Sequence, residues 1–392
     1  RAASLPIAGY ASFLRAVYAI HDGLEQLVER SSSPALRAAF ASGPARRERL
    51  ERDLEHLRTD KYGVDAAALH ALVLVRELQL AAQAPRGAAH VLGALYVVEG
   101  SQLGGLAQAR ALGDRPELQG GGLSYLRGLG AGTSAALQGF FALLDENLQD
   151  EAELAAAIEG ARQTFAGFGS IMNAVMSDPE RLAEALNSEA GAHPVARDLR
   201  ELRAALTAGE QTWRDFSYYA ARYGERGRRF TRSDSAWLVT LARLPKAQVL
   251  RQVAWLARVL AARGMPRLLL ERHLMQLHAQ LVAELPANRA EYHGLLEAAH
   301  ALADERRARM PDARLEALAA ELESALQRRP HATSPIAPAE AGLLLVAAVL
   351  DEACGVPHAV DRLCRWLTDT ARASRGFCQA VEQTLHSARA AL

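Results

Sequence analysis

Two short stretches of this chain carry residues whose types and spacing could do chemistry. The first is residues 96–105, YVVEGSQLGG, inside a run from 90 to 110. Val91, Leu92, Leu95 and Val98 recur at helical steps. Yet the run also holds Gly93, Gly100, Gly104 and Gly105, each costing roughly 1 kcal/mol against alanine in a helix interior. Glycine gives closeness in return, because no Cβ stands between the backbone and its neighbour. Either another helix packs tightly there, or a flat ligand lies on bare backbone and the helix bends around it. The second stretch is residues 14–25, LRAVYAIHDGLE, with His21 on or beside an apolar stripe. A histidine so placed is either a core residue with a satisfied hydrogen bond or a ligand to a metal. Glu25, one turn on, could orient the imidazole or receive its Nδ1–H, directly or through water.

The elements that position these residues read as helices. Ser12 is expected to cap one that runs to about Glu29, with Phe13, Leu14, Val17, Ile20, Leu24 and Leu27 as its buried stripe. Residues 34–56 are arginine-rich and read as a helical, solvated face. Lys61, Tyr62 and Gly63 form a turn, and 66–82 a further amphipathic helix. His56 and His70 read as surface or core histidines, and His90 as a first-turn residue of the glycine-bearing helix. Residues 120–133, GGGLSYLRGLGAGT, are a loop or a mobile connection over a pocket mouth. A helix over 150–176 completes this half.

Composition sets the class. With 392 residues, half of them hydrophobic, the chain suits two ordinary domains. Lys plus Arg (45) equals Asp plus Glu (45), which argues against a dedicated nucleic-acid surface. Alanine, leucine, arginine and glutamate dominate, so the expected fold is all-α. The longest uncharged apolar stretch, 341–350, is about half of the ~20 residues that a membrane span needs. The first ten residues lack an apolar core of signal-peptide length, and three widely spaced cysteines suit reduced thiols. A cytoplasmic protein without a membrane anchor is the expectation.

The run GALYVVEGSQLGG resembles the distal helix of bacterial heme oxygenases of the type found beside phytochromes, and LRAVYAIHDGLE resembles their proximal helix. The resemblance covers roughly residues 8–178. It implies a heme-oxygenase-like bundle in which heme is both substrate and cofactor, opened by O2 and external electrons to biliverdin, CO and ferrous iron. It also implies His21 as axial ligand to the iron, with Glu25 supporting it. The backbone at Gly100, Ser101, Gly104 and Gly105 would form the distal side, where a water chain delivers protons. Arg15, Arg110, Arg127 and Arg162 are candidates for the heme propionates, and Tyr125 for the pocket wall. Family members carry an aromatic pair and then G followed by W-x-x-F hereabouts; here Leu137 stands in place of the tryptophan. Glu99 reads as a surface or structural residue. A reductase or ferredoxin would supply electrons, and a bacteriophytochrome or other acceptor would take the biliverdin. The alternative is a non-catalytic heme- or tetrapyrrole-binding protein for sensing or delivery, and a third reading is a scaffold that has lost its pocket. A di-iron oxidase would want repeated E-x-x-H pairs, and only Glu297 with His300 has that spacing.

Domains are expected at 1–180 and 195–392, the boundary falling within 177–194 at SDPE and GAHP. The second half reads as a multi-helical domain of no recognised family. Its densest aromatic cluster, Trp213, Phe216, Tyr218, Tyr219 and Tyr223, precedes a basic turn at 226–230. Such a cluster is either helix core or a surface that stacks a nucleobase or an anionic ring. Further helices are expected at 197–208, 233–245, 247–264, 266–285, 288–307, 312–328, 339–354 and 356–390. His273 with His278, and Cys354 with His358, lack the further ligands that a metal site needs.

Overall fold

The computed structural model describes residues 5–41, 46–176, 182–191, 193–329 and 331–392. The boundary signal SDPE (177–180) and residue 192 of GAHP lie outside the described residues. The fold is all-α, with no strand among the described residues. The chain divides into two compact units, one of Arg1–Ala192 with Arg197–Leu199 and one of His193–Ala196 with Arg200–Leu392.

The first unit contains α1 (Ile7–Glu29), α2 (Pro34–Ala41), α3 (Arg46–His56), α4 (Ala66–Ala81), α5 (Gly87–Leu112), α6 (Ser124–Arg127), α7 (Thr133–Asn147), α8 (Glu151–Val175) and α9 (Leu182–Leu186). Helix α1 begins after Pro6, six residues earlier than a Ser12 cap would place it, and Ser12 is buried inside it. A proline is tolerated at a helix start, where its missing N–H has no intrahelical partner to lose. Helix α1 packs on α3, α4 and α8, while α5 packs chiefly on α8. Asp65 and Asp150 cap α4 and α8 by accepting from Ala68 N and Ala152 N. The 61–63 turn pairs with the segment after α9: Leu199 N donates to Tyr62 O at 2.8 Å and Val64 N to Arg197 O at 3.1 Å.

The α5–α8 seam explains one of the glycines. A Cβ on Gly93 would stand 1.8 Å from the carbonyl oxygen of Ala157, and one on Gly160 would stand 1.9 Å from that of His90. Backbone meets backbone at both points, so only glycine lets the helices come this close.

The second unit contains α10 (Leu199–Asp215), α11 (Ser217–Leu241), α12 (Lys246–Ala261), α13 (Arg267–Glu284), α14 (Arg289–Arg307), α15 (Asp312–Gln327), α16 (Pro338–Ala353), α17 (Ala359–Leu367) and α18 (Arg375–Ala390). The first residue of α10, Leu199, is counted with the first unit. Helix α16 carries the apolar run 344–350, buried throughout. Buried ion pairs fix its neighbours: Arg267 Nε donates to Asp351 at 2.8 Å, and Arg306 grips Glu271 through two bonds of 3.0 and 3.1 Å.

Two expectations for this half are corrected. Residues 226–230 are not a turn but lie within α11, which kinks at Gly224 instead, and the helix expected from 233 is the continuation of α11, with Ser233 fully buried inside it. The last expected helix is two, because α17 ends at Leu367 and Ser374 caps α18 by accepting from Phe377 N. No helix among the described residues is long and apolar enough to cross a membrane.

Candidate functional site

His21 lies in α1 at 1 % exposure, within a helix buried on nearly every side. Its Nε2 is 3.1 Å from the hydroxyl of Tyr125, and the two rings meet edge-on at 5.5 Å. Burial, assisted by Arg46 and Arg49, pushes the imidazole down to about 3, so the ring is neutral at physiological pH. The same burial pushes the Tyr125 phenol up, so it stays protonated. Nδ1 of His21 is buried with no hydrogen-bond partner among the described residues.

Tyr125 is held there by its backbone. Asp53, fully buried on α3, accepts from Ser124 N and Tyr125 N at 2.8 Å each, capping the one-turn helix α6. Tyr10 on α1 donates to Gly122 O at 2.7 Å. Gly122 and Gly128 flank α6 at φ of +80° and +53°, the left-handed region that glycine adopts without strain. The arginine-rich segment 34–56, expected as a solvated face, instead turns one side of α3 inward. Arg46, Arg49 and Asp53 are buried; they share a face with Leu50 and Leu54, and that helical spacing was the available signal.

On α5, Glu99 is buried too. Arg46 donates to it at 2.5 Å and Gln102 at 2.8 Å, while burial outweighs the arginine and raises the carboxyl. The remaining glycines then part company. Gly105 faces α6, where an added Cβ would be 3.0 Å from Leu126 O, whereas at Gly100 and Gly104 nothing lies within 4 Å. Ser101 turns its hydroxyl back to Val98 O at 2.7 Å. Helix α6 therefore bridges His21, through Tyr125, and the glycine segment, through Leu126.

The other candidates are not gathered here. Glu25 faces Arg47 at 3.3 Å rather than the imidazole, because one turn along α1 carries it beyond the buried stripe. Arg15 is bound to Asp65 at 2.5 Å, and Arg162 lies exposed on α8 beside Glu159. Arg110 and Arg127 are exposed, the latter two residues from Tyr125. Leu137 and Phe140 are buried in α7.

The buried imidazole makes the first unit acid-sensitive. Its folded value lies below its ordinary 6.5, so the unfolded chain takes up the proton first. Stability should fall as pH drops below 6.5, by about 1.4 kcal/mol per unit at most, until about 3. Denaturant melts at pH 7 and pH 5 check this, and the difference should shrink in His21→Phe.

A helical bundle that builds its polar site from side chains on facing helices is a common frame for holding a cofactor. Residues 4–174 match the heme oxygenase family model, a likeness that falls within the first unit. Searches of curated proteins and of solved structures returned no match.

Proposed function

We propose that the first unit takes heme as its substrate, with His21 as axial ligand, and cleaves the ring oxidatively to biliverdin, CO and ferrous iron. The observation that carries this is His21 itself, a buried imidazole kept neutral and so ready to bind a metal, inside the segment that matches the family. Heme supplies the oxygen chemistry. The chain supplies a nitrogen donor on one side and, at Gly100 and Gly104, backbone that no side chain crowds on the other.

The residues fit heme in charge state, and one of them must move. Nε2 of His21 is held by the Tyr125 hydroxyl, so heme binding requires Tyr125 to leave and the ring proton to sit on Nδ1. The glycines on either side of α6 supply a hinge for that movement. Arg127, exposed and close to Tyr125, is the propionate partner most consistent with this arrangement; Arg15 and Arg162 are engaged or placed elsewhere. The electron donor would be a separate reductase or ferredoxin, and a bilin acceptor such as a bacteriophytochrome would remove the product. The place of Tyr125 also favours a second reading, a protein that binds heme or a bilin without turnover.

The test is to add hemin to the whole protein, record the Soret band, and then supply reductant and O2. Loss of the Soret band with growth of bilin absorbance supports cleavage. A Soret complex that survives turnover conditions supports the binder, and no Soret complex overturns both. In the same assay Tyr125→Phe, which removes the competing hydroxyl, should tighten hemin binding about fivefold, the equivalent of one hydrogen bond of about 1 kcal/mol. Weaker binding would mean that the hydroxyl supports heme rather than displacing it.

A further inference from the structure

The second unit encloses a cavity of about 550 Å³ that the heme chemistry does not use. Its wall is apolar and aromatic: Tyr219, Tyr223 and Phe230 from α11, Leu256 and Leu260 from α12, and Leu270 from α13. The kink at Gly224, with φ of +53°, separates the two tyrosines from Phe230. A space of this size and lining is typical of drug-sized ligands.

Its polar floor is self-contained. His273 is gripped on both ring nitrogens, Nδ1 by Thr212 Oγ1 and Nε2 by Ser235 Oγ, at 3.0 Å each. Burial keeps that ring neutral. At the histidine the floor therefore offers a ligand no open polar partner. Arg226 and Asp234 also line the cavity, and burial pushes the Asp234 carboxyl up to about 6 against the pull of His193 and Arg263, so an acid group on the ligand must be met at the edge.

The edge is cationic. Arg263 lines this cavity and also a cleft of about 560 Å³ formed with Arg222, Arg362, Arg365, Arg372 and Trp366. Arg372 is paired with Asp369 at 2.8 Å, and Arg222 is spent on the carbonyls of Arg263, Gly264 and Arg362. Arg263, Arg362 and Arg365 are exposed and have no carboxylate within ion-pair distance among the described residues. No acidic residue lines the cleft. A concave site with three guanidinium groups, none bonded to a carboxylate and only Arg263 acting on a nearby acid, Asp234, selects for negative charge.

We propose that the second unit binds an amphipathic organic anion, its apolar body in the cavity and its acid group on Arg263 with Arg362 and Arg365. The aromatic cluster is then neither simple core nor a nucleobase platform. Tyr218 is core, packed edge-on against Trp366 at 5.3 Å, while Tyr219 and Tyr223 are cavity wall.

The probe is anilinonaphthalene sulfonate, titrated into the whole protein by fluorescence beside N-phenylnaphthylamine, which has the same rings and no acid. One saturable sulfonate site is expected. Arg263→Gln should weaken the sulfonate about tenfold, or about 1.4 kcal/mol, and leave the uncharged dye unchanged. Leu260→Trp, which fills the cavity from a half-buried position, should abolish both, and His21→Ala should affect neither. Near-UV circular dichroism of each variant establishes that it is folded. Absence of a sulfonate site, equal binding by folded Arg263→Gln, or binding that survives Leu260→Trp overturns the proposal.

Discussion

Replacing His21 by alanine should remove the hemin Soret complex and, with it, bilin formation. Loss of a residue that merely supports a metal ligand costs 10–100-fold in affinity, so loss of the ligand itself should cost about 100-fold or more. The substitution leaves a small space beside Tyr125 and frees its hydroxyl. That is a modest destabilisation of about 1–3 kcal/mol, and at pH 5 it is offset because a buried base has been removed. Imidazole added to the solution can occupy the space and restore the hemin spectrum of the unsubstituted protein, which separates ligand loss from unfolding. A variant that binds hemin with an unchanged spectrum would show that the iron takes another donor, and the proposed site would fall with it.

The second large effect lies in the glycine-bearing helix and has opposite signs along its length. Gly93→Ala places a methyl group 1.8 Å from the Ala157 carbonyl oxygen. No side-chain rotation relieves a contact with backbone, so α5 and α8 must separate. The expected cost is about 3 kcal/mol, at the upper end for overpacking, which would lower the first unit's melting transition by about 10 °C. Gly160→Ala should behave alike. Gly100→Ala and Gly104→Ala meet nothing within 4 Å and should instead stabilise by up to ~1 kcal/mol through helix propensity. Under the heme reading these last two should still reduce turnover, because the added methyl groups crowd the distal side. Thermal melts of the four variants decide the matter: equal destabilisation of all four would refute the division of the helix into a packed half and an open half.

That division shows how far the residues alone could carry the reading. Helical spacing located α4, α5 and α8 to within a few residues and α1 except for its start, because burial of one stripe imposes its period on the sequence. The glycine run left two meanings open, tight packing or bare backbone. Both hold, at different positions, since the choice depends on which helix lies opposite each glycine and the spacing within α5 carries no such information. The same limit hid α3. Arginine and aspartate signal solvent when read singly, and only the packing of α3 against α1 and α6 made Arg46, Arg49 and Asp53 interior groups.

For His21, type and position were legible, while its partner was not. Glu25 is one turn away in sequence and was the natural candidate; Tyr125, more than a hundred residues on, is the group that meets the ring. In the second half the aromatic and basic residues were visible as a cluster. Their sorting into core, cavity wall and cationic edge followed from the kink at Gly224 and from Arg362 and Arg365, which lie far along the chain. Local periodicity and composition thus determined that this is an all-α chain with a histidine and a glycine helix worth following. Which groups face one another was decided by tertiary packing, because contacts between distant residues leave no period in the sequence.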